Sequence, residues 1–522
     1  MSVVDRVDFS QDAPSLDYGT NPPSASDTDT DVFGGDEVKT KGHDPQAGSI
    51  STIFSIWSTM IGSTFLLMPW GFYKSGLTLG VIIFFCVGLI SYYTCTLITR
   101  HSKVHKHLMK VATSPPDSDI RLRLIKPKFT GSDIVDFSEV CVHHLGRWSQ
   151  ILALVASILI MLAASIGYHI YMKDFLKSIV TCIYHLATKG KDRSNDFLWM
   201  EKEYFIKDLL SSLAIAMILF PICCMKRLTL LIKFNSFGVF FVLFSLFFII
   251  YSSSYAIAHP ETTVPKPMNM SNAFLPSLND STITPTPTPT PIPIVFVNHL
   301  ENFSLGFPKL LGFLNLSFFI HNTIVSIFAS KRSLRHTRRD TGIAYILGGI
   351  CYLIPGVMGS IAFRYSDEIK QNFFNQFSAD DIFANVARSM TLLQLMSIFP
   401  LLLYIVRAQI FKSDWRFWRR TSVIIEKEDP GYLAIFLLNF VIVLLTTTFA
   451  SFYGEVGIIL SYVGAISGLI YIYFLPVTVH LVILRRNNEL RWYSVVFHVS
   501  LVLFGVIVCI LQCIDFEKIV KK

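Results

Sequence analysis

The sequence predicts an all-α polytopic membrane protein of about eleven transmembrane helices, arranged as a five-plus-five inverted repeat with helices one and six discontinuous. Three observations carry this reading. Of 522 residues, 52% are hydrophobic and only 16% charged, with a mean hydropathy of +0.50. Apolar runs of about 20 residues, the length that crosses roughly 30 Å of hydrocarbon, recur near 50–70, 76–99, 148–172, 205–224, 231–258, 304–328, 341–363, 383–406, 431–452, 455–482 and 492–513. Spans one and six, five apart and opposite in direction, are both interrupted at their middles, the pattern of an inverted repeat around a midplane site.

Span one reads ISTIFSIWSTMIGSTFLLMPWGFY from Ile50 to Tyr73, with Ile61-Gly62-Ser63-Thr64 at its centre. Gly weakens a helix by roughly 1 kcal/mol and Ser and Thr bond nearby backbone. A helix can open here and leave N–H and C=O groups free to meet a solute, which membrane depth tolerates only beside protein or a watery cavity. A notch for close helix packing is the structural alternative. Span six carries Asn315, Ser317, His321 and Asn322 in an apolar run. Groups so costly in lipid belong inside the bundle. His321 is a candidate substrate contact, proton carrier or hydrogen-bonded structural histidine. Span eight places Gln394 and Ser397 before Phe399-Pro400, where a hydroxyl and freed carbonyls would suit a small hard cation. Gly464 and Gly468 of span ten are spaced for helix packing, and His498 of span eleven reads as structural.

The net charge of +8 does not mark a nucleic-acid partner, because the basic residues lie in short loops. Arg100 to Lys128, Lys226 to Lys233, Lys331 to Arg339, Lys412 to Arg420 and Arg485 to Arg491 follow the even-numbered spans, which puts those loops and the N-terminus in the cytosol. Residues 1–49 form an acidic tail expected to be disordered and available to a cytosolic partner. Residues 50–513 form the transmembrane domain and 514–522 a short tail. Within that domain, 101–147 is a cytosolic connection and 259–303 a Pro/Thr-rich lumenal loop. The run TPTPTPTP at 284–291 favours extended polyproline II. Asn269, Asn279 and Asn302 begin glycosylation sequons in or beside that loop.

Nine scattered cysteines without a CxxC pair imply neither a metal site nor a disulfide framework. His143 and His144 are adjacent, so on a helix they point apart and do not share a metal. No nucleotide loop, nucleophile elbow or paired-carboxylate site is present, and no buried ionisable cluster of the catalytic kind is expected. The chain reads as a non-enzyme without a cofactor.

WSTMIGSTFLLMPWG (57–71), KFNSFG (233–238), LNLSFFIHN (314–322) and QLMSIFPLLLYIVRAQ (394–409) resemble motifs of the amino acid/auxin permease superfamily, which includes the sodium-coupled neutral amino acid transporters. The resemblance covers about 49–513. It implies secondary transport of amino acids by alternating access in a lysosomal or late endosomal membrane, the plasma membrane being the other residence. A sensor that signals to cytosolic partners with little flux is the second function in view. By position, Thr59, Met60, Ile61, Gly62, Ser63 and Thr64 would hold the substrate's carboxylate and amino group, with Phe318 and His321 nearby. A coupling sodium ion would fall to Ser58 and Ser397, although Ser58 stands where the family places an Asn.

Overall fold

Helix α1 (Ser49–Met60) stops where the sequence turns from apolar residues to Gly and Ser. Ile61 is already extended, with ψ 96°, and Thr64–Leu66 forms a single 3₁₀ turn. The chain resumes as α2 (Met68–Ser75), whose Pro69 falls in the first turn, where no N–H is needed. Gly76 ends it at φ +80°, and a side chain there would run into the backbone of Asn302 and Phe303. The other interrupted span behaves alike. Helix α8 (Phe307–Ser317) breaks at Phe318, and α9 (Ile324–Ala329) follows a turn.

The computed structural model describes residues 48–113, 136–188, 204–225, 228–260, 298–366, 368–412 and 431–514. The remaining helices are α3 (Leu77–Thr113), α4 (Phe137–Leu145), α5 (Arg147–Ala187), α6 (Tyr204–Cys223), α7 (Leu228–Ala258), α10 (Thr337–Ala362), α11 (Ile382–Lys412), α12 (Tyr432–Phe452), α13 (Val456–Gly468), α14 (Leu475–Arg486) and α15 (Trp492–Gln512). A π-helical stretch, Leu469–Phe474, joins α13 to α14. Among the described residues eight helices are long and apolar enough to cross a membrane. The other expected spans are the two broken ones and α6, whose apolar stretch Asp208–Cys223 is shorter. Side chains such as Phe240, Phe247, Leu444 and Ile507 are exposed, as lipid-facing positions of such a bundle should be. Asn269, Asn279 and the acidic tail up to residue 47 lie outside the described residues.

One feature of the sequence reading changes. The third span does not end near 172, because α5 continues to Ala187, about 60 Å of helix in all. The structure also buries charges where they can pair, which the sequence reading did not foresee. Lys331 and Asp340, 3% and 0% exposed, are joined by an ion pair that Arg339 extends at 3.0 Å. Lys173, 2% exposed, meets Asp208 at 3.1 Å, and Lys177 meets the same carboxylate at 3.0 Å. These pairs lie near helix ends and make bonds that satisfy the charges they bury.

Gly464 and Gly312 bring α13 and α8 into backbone contact. A Cβ on Gly464 would stand 2.3 Å from the Gly312 carbonyl oxygen, and one on Gly312 2.3 Å from that of Ser461. Here backbone meets backbone, so α8 can pack on α13 only through small residues. Gly464→Val is expected to destabilise the fold by about 1–3 kcal/mol or more, read as a lower unfolding temperature in detergent. An unchanged temperature would show that the helices separate freely.

A segment between α10 and α11 crosses one end of the bundle. Its 3₁₀ turn Phe373–Gln376 buries Phe373 and Phe374. Gln371 accepts the Gly457 amide at 2.7 Å, Asn375 donates to Asp174 of α5 at 3.1 Å, and Ser366 accepts from Tyr73 at 3.0 Å. This crossing segment therefore ties α2, α5 and α13 together.

Candidate functional site

The last residues of α1 and α8 leave carbonyls with no helical partner, the ordinary condition of a helix C-terminus. Both are met by a single side chain. The Tyr352 hydroxyl, from α10, donates to Met60 O at 2.7 Å and reaches Ser317 O at 3.2 Å. The two breaks therefore face each other across one oxygen. Around the first break, the Tyr168 hydroxyl of α5 lies at the Ser63 amide. It would be 2.5 Å from a Cβ on Gly62. A glycine is required there because the tyrosine fills the volume a side chain would take. Ser63 is 1% exposed, and its Oγ has no hydrogen-bond partner among the described residues. A buried hydroxyl in that condition is one that a ligand can complete.

The predicted site residues separate into three groups. Met60, Ile61, Ser63 and Thr64 are buried and Gly62 half-buried around the first break, within reach of Tyr168 and Tyr352. Thr59 stands apart: it is exposed, and its hydroxyl donates back to Ser55 O at 2.7 Å. Phe318 and His321 belong to the second break and face α3. The Phe318 ring lies against Phe84, parallel to Tyr345 and edge-on to Tyr352. Its carbonyl accepts from Ser91 and Tyr345, both at 3.1 Å. His321 is fully buried and shares a hydrogen bond with Thr94 at 3.0 Å. Phe318 thus reaches the first break through Tyr352, whereas His321 bonds to α3.

Ser58 lines a crevice of about 10 Å³ with Trp57, Ile61, Val239, Val242 and Gln394. Gln394 is 6% exposed, and its Oε1 has no partner among the described residues. Ser397, one turn further along α11, donates to Gln394 O at 2.7 Å. The structure therefore places Gln394, one turn before the expected Ser397, on the same crevice as Ser58, whose hydroxyl donates to Ser55 O at 3.2 Å. Such a volume holds about one water-sized particle, and neutral oxygens are the ligands a hard monovalent cation uses.

Asn315 is buried and accepts from Tyr473 at 2.7 Å. Asn322 donates to Ser157 at 2.8 Å, as Gln409 also does. His498 bonds Tyr93 at 2.8 Å and Ser494 O at 2.7 Å, which gives it a structural place. His143 and His144 lie on α4 with rings 4.9 Å apart. No cluster of three or more metal-ligating side chains occurs among the described residues. Sequence reasoning missed Tyr168 and Tyr352. The available signal was a tyrosine in mid-span, whose hydroxyl needs a partner away from water.

Two helices broken face to face, within a bundle whose broken spans are five apart, define a membrane carrier of the inverted-repeat class. The structure of MhsT in complex with L-phenylalanine shares this fold: the TM-score is 0.50 at 10% identity, covering 90% of this chain and 99% of that one. The profile of the family described as transmembrane amino acid transporter protein matches residues 45–515, and the chain belongs to that family. Similar proteins include the neutral amino acid transporter 9 of Danio rerio, 28% identical over 88% of this chain and 79% of the relative. The sodium-coupled neutral amino acid transporter 9 homolog of Caenorhabditis elegans is 26% identical over 88% of this chain and 72% of the relative.

Proposed function

We propose that this protein carries neutral amino acids across its membrane by alternating access around the paired breaks, coupled to sodium. The observation that carries the reading is the convergence of Met60 O and Ser317 O on one point. Two C-terminal helix ends concentrate partial negative charge there, suited to an ammonium group. A carboxylate would lie at the side of the first break that faces α5, against the Ser63 amide and the hydroxyls of Ser63 and Tyr168. No carboxylate occurs in either break, in residues 61–63 or 318–323, which favours an uncharged side chain. The relatives' names, neutral amino acid transporter 9 and sodium-coupled neutral amino acid transporter 9 homolog, support the same class.

For sodium, the orphaned Gln394 Oε1 and the Ser58 hydroxyl supply oxygens at one crevice, so Gln394 takes the part of the Asn that Ser58 replaces. Asn302, a sequon among the described residues, is exposed at the end where the crossing segment lies, and its glycosylation would mark that end as lumenal. The test is uptake of labelled L-leucine and L-glutamine into proteoliposomes under sodium, proton and no gradient. Sodium should stimulate saturable uptake, and Gln394→Leu should lower that stimulation roughly 10-fold, the effect of losing a contact worth ~1.4 kcal/mol. Absence of flux under every gradient would refute transport; sodium-indifferent flux would refute only the cation assignment.

A further inference from the structure

Resting on that proposed site, we infer that Tyr352 is a built-in substitute for the substrate's ammonium group, and that it lets the carrier reorient without cargo. The hydroxyl is fully buried and donates into both half-helix ends, Met60 O at 2.7 Å and Ser317 O at 3.2 Å. It also faces the Gly62 amide and the side chain of Thr64. One hydroxyl has one proton to share between two carbonyls. An ammonium has three and a full charge, and charge-assisted hydrogen bonds are about twice as strong as neutral ones. The substrate therefore displaces the hydroxyl, and after release the hydroxyl returns.

The consequence concerns turnover. Exposed carbonyls at membrane depth are costly unless bonded. A carrier whose site is unsatisfied without cargo tends to move only when loaded, which is obligate exchange. Tyr352 removes that penalty and adds no charge, so net flux becomes possible. Its ring is held for this task. Phe318, at the second break, packs edge-on against it with ring centroids 5.8 Å apart. Tyr345, seven residues earlier on α10, bonds the Phe318 carbonyl. The hydroxyl thus comes from α10, a continuous helix packed against both pieces of the first broken span, and from neither half-helix end that it bonds.

The experiment compares net uptake into liposomes lacking internal substrate with exchange against internal L-leucine, for the unaltered protein and Tyr352→Phe. In the unaltered protein the two rates should be similar; exchange far faster than net uptake would overturn the inference without any variant. Tyr352→Phe should lower the apparent KM roughly 2- to 10-fold, the effect of removing one competing hydrogen bond. It should also slow net uptake more than exchange. A raised KM with both rates falling together would mean that Tyr352 holds the substrate, and the inference fails. Unchanged KM and rates would equally overturn it. Should the unaltered protein show neither exchange nor uptake, the transport reading itself falls, a result distinct from either variant outcome.

Discussion

Gly62→Val is expected to reduce amino acid uptake roughly 10- to 100-fold with normal membrane abundance. The Cβ alone would come within 2.5 Å of the Tyr168 hydroxyl, and valine adds two methyl groups beyond it. Tyr168 can retreat only by leaving the Ser63 amide, which uncouples α5 from the first break. Overpacking of this kind costs about 1–3 kcal/mol, and the stated loss corresponds to about 1.4–2.8 kcal/mol within that span. The change lies in a segment outside both flanking helices, so the bundle should still assemble. Gly62→Ala should give a smaller loss of the same kind. Labelled L-leucine uptake, normalised to protein recovered from the membrane, decides the matter. Full activity in Gly62→Val would show that the opened segment is a packing notch.

Arg388→Met is expected to be the most damaging substitution for the fold itself, lowering stability by about 3–5 kcal/mol. Arg388 is 1% exposed on α11. Its guanidinium donates to Phe374 O at 2.7 Å, Phe377 O at 2.8 Å, Asn385 Oδ1 at 3.0 Å and Ser378 O at 3.2 Å. Three of these acceptors are backbone carbonyls of the segment that crosses one end of the bundle. Without the arginine they are stranded in a buried turn, and the segment loses its hold on α11. Arg388→Lys should recover only part of the loss, because an ammonium cannot reproduce the planar fork. Thermal unfolding in detergent and the fraction surviving solubilisation measure both variants. Similar unfolding temperatures for Arg388→Met and the unaltered protein would exclude this role.

Much of the architecture was legible because membrane insertion imposes local rules. The breaks at Ile61–Ser63 and after Ser317 follow from Gly, Ser and Asn in otherwise apolar runs. The tight packing of Gly464 on Gly312 follows from glycine spacing on α13. The crevice beside Ser58 was not legible: the α11 residue that lines it with Ser58 is Gln394 and not Ser397, because side-chain direction around α11 is set by how that helix packs on α5 and α7. The buried pairs Lys331–Asp340 and Lys173–Asp208 were not legible, since each charge looks like part of a solvated helix end until its partner is known.

The sequence by itself determined the membrane class, the approximate spans and the two places where helices must open, because each depends on a window of about 20 residues and on the cost of polar backbone in lipid. Only the tertiary structure decided what occupies those openings. Tyr352 lies 292 residues from Met60, whose carbonyl it bonds, and 35 from Ser317, and Tyr168 comes from a third helix. A broken helix must find partners for its freed groups, but which side chains answer depends on how distant helices are brought together, and no local pattern in the chain records that.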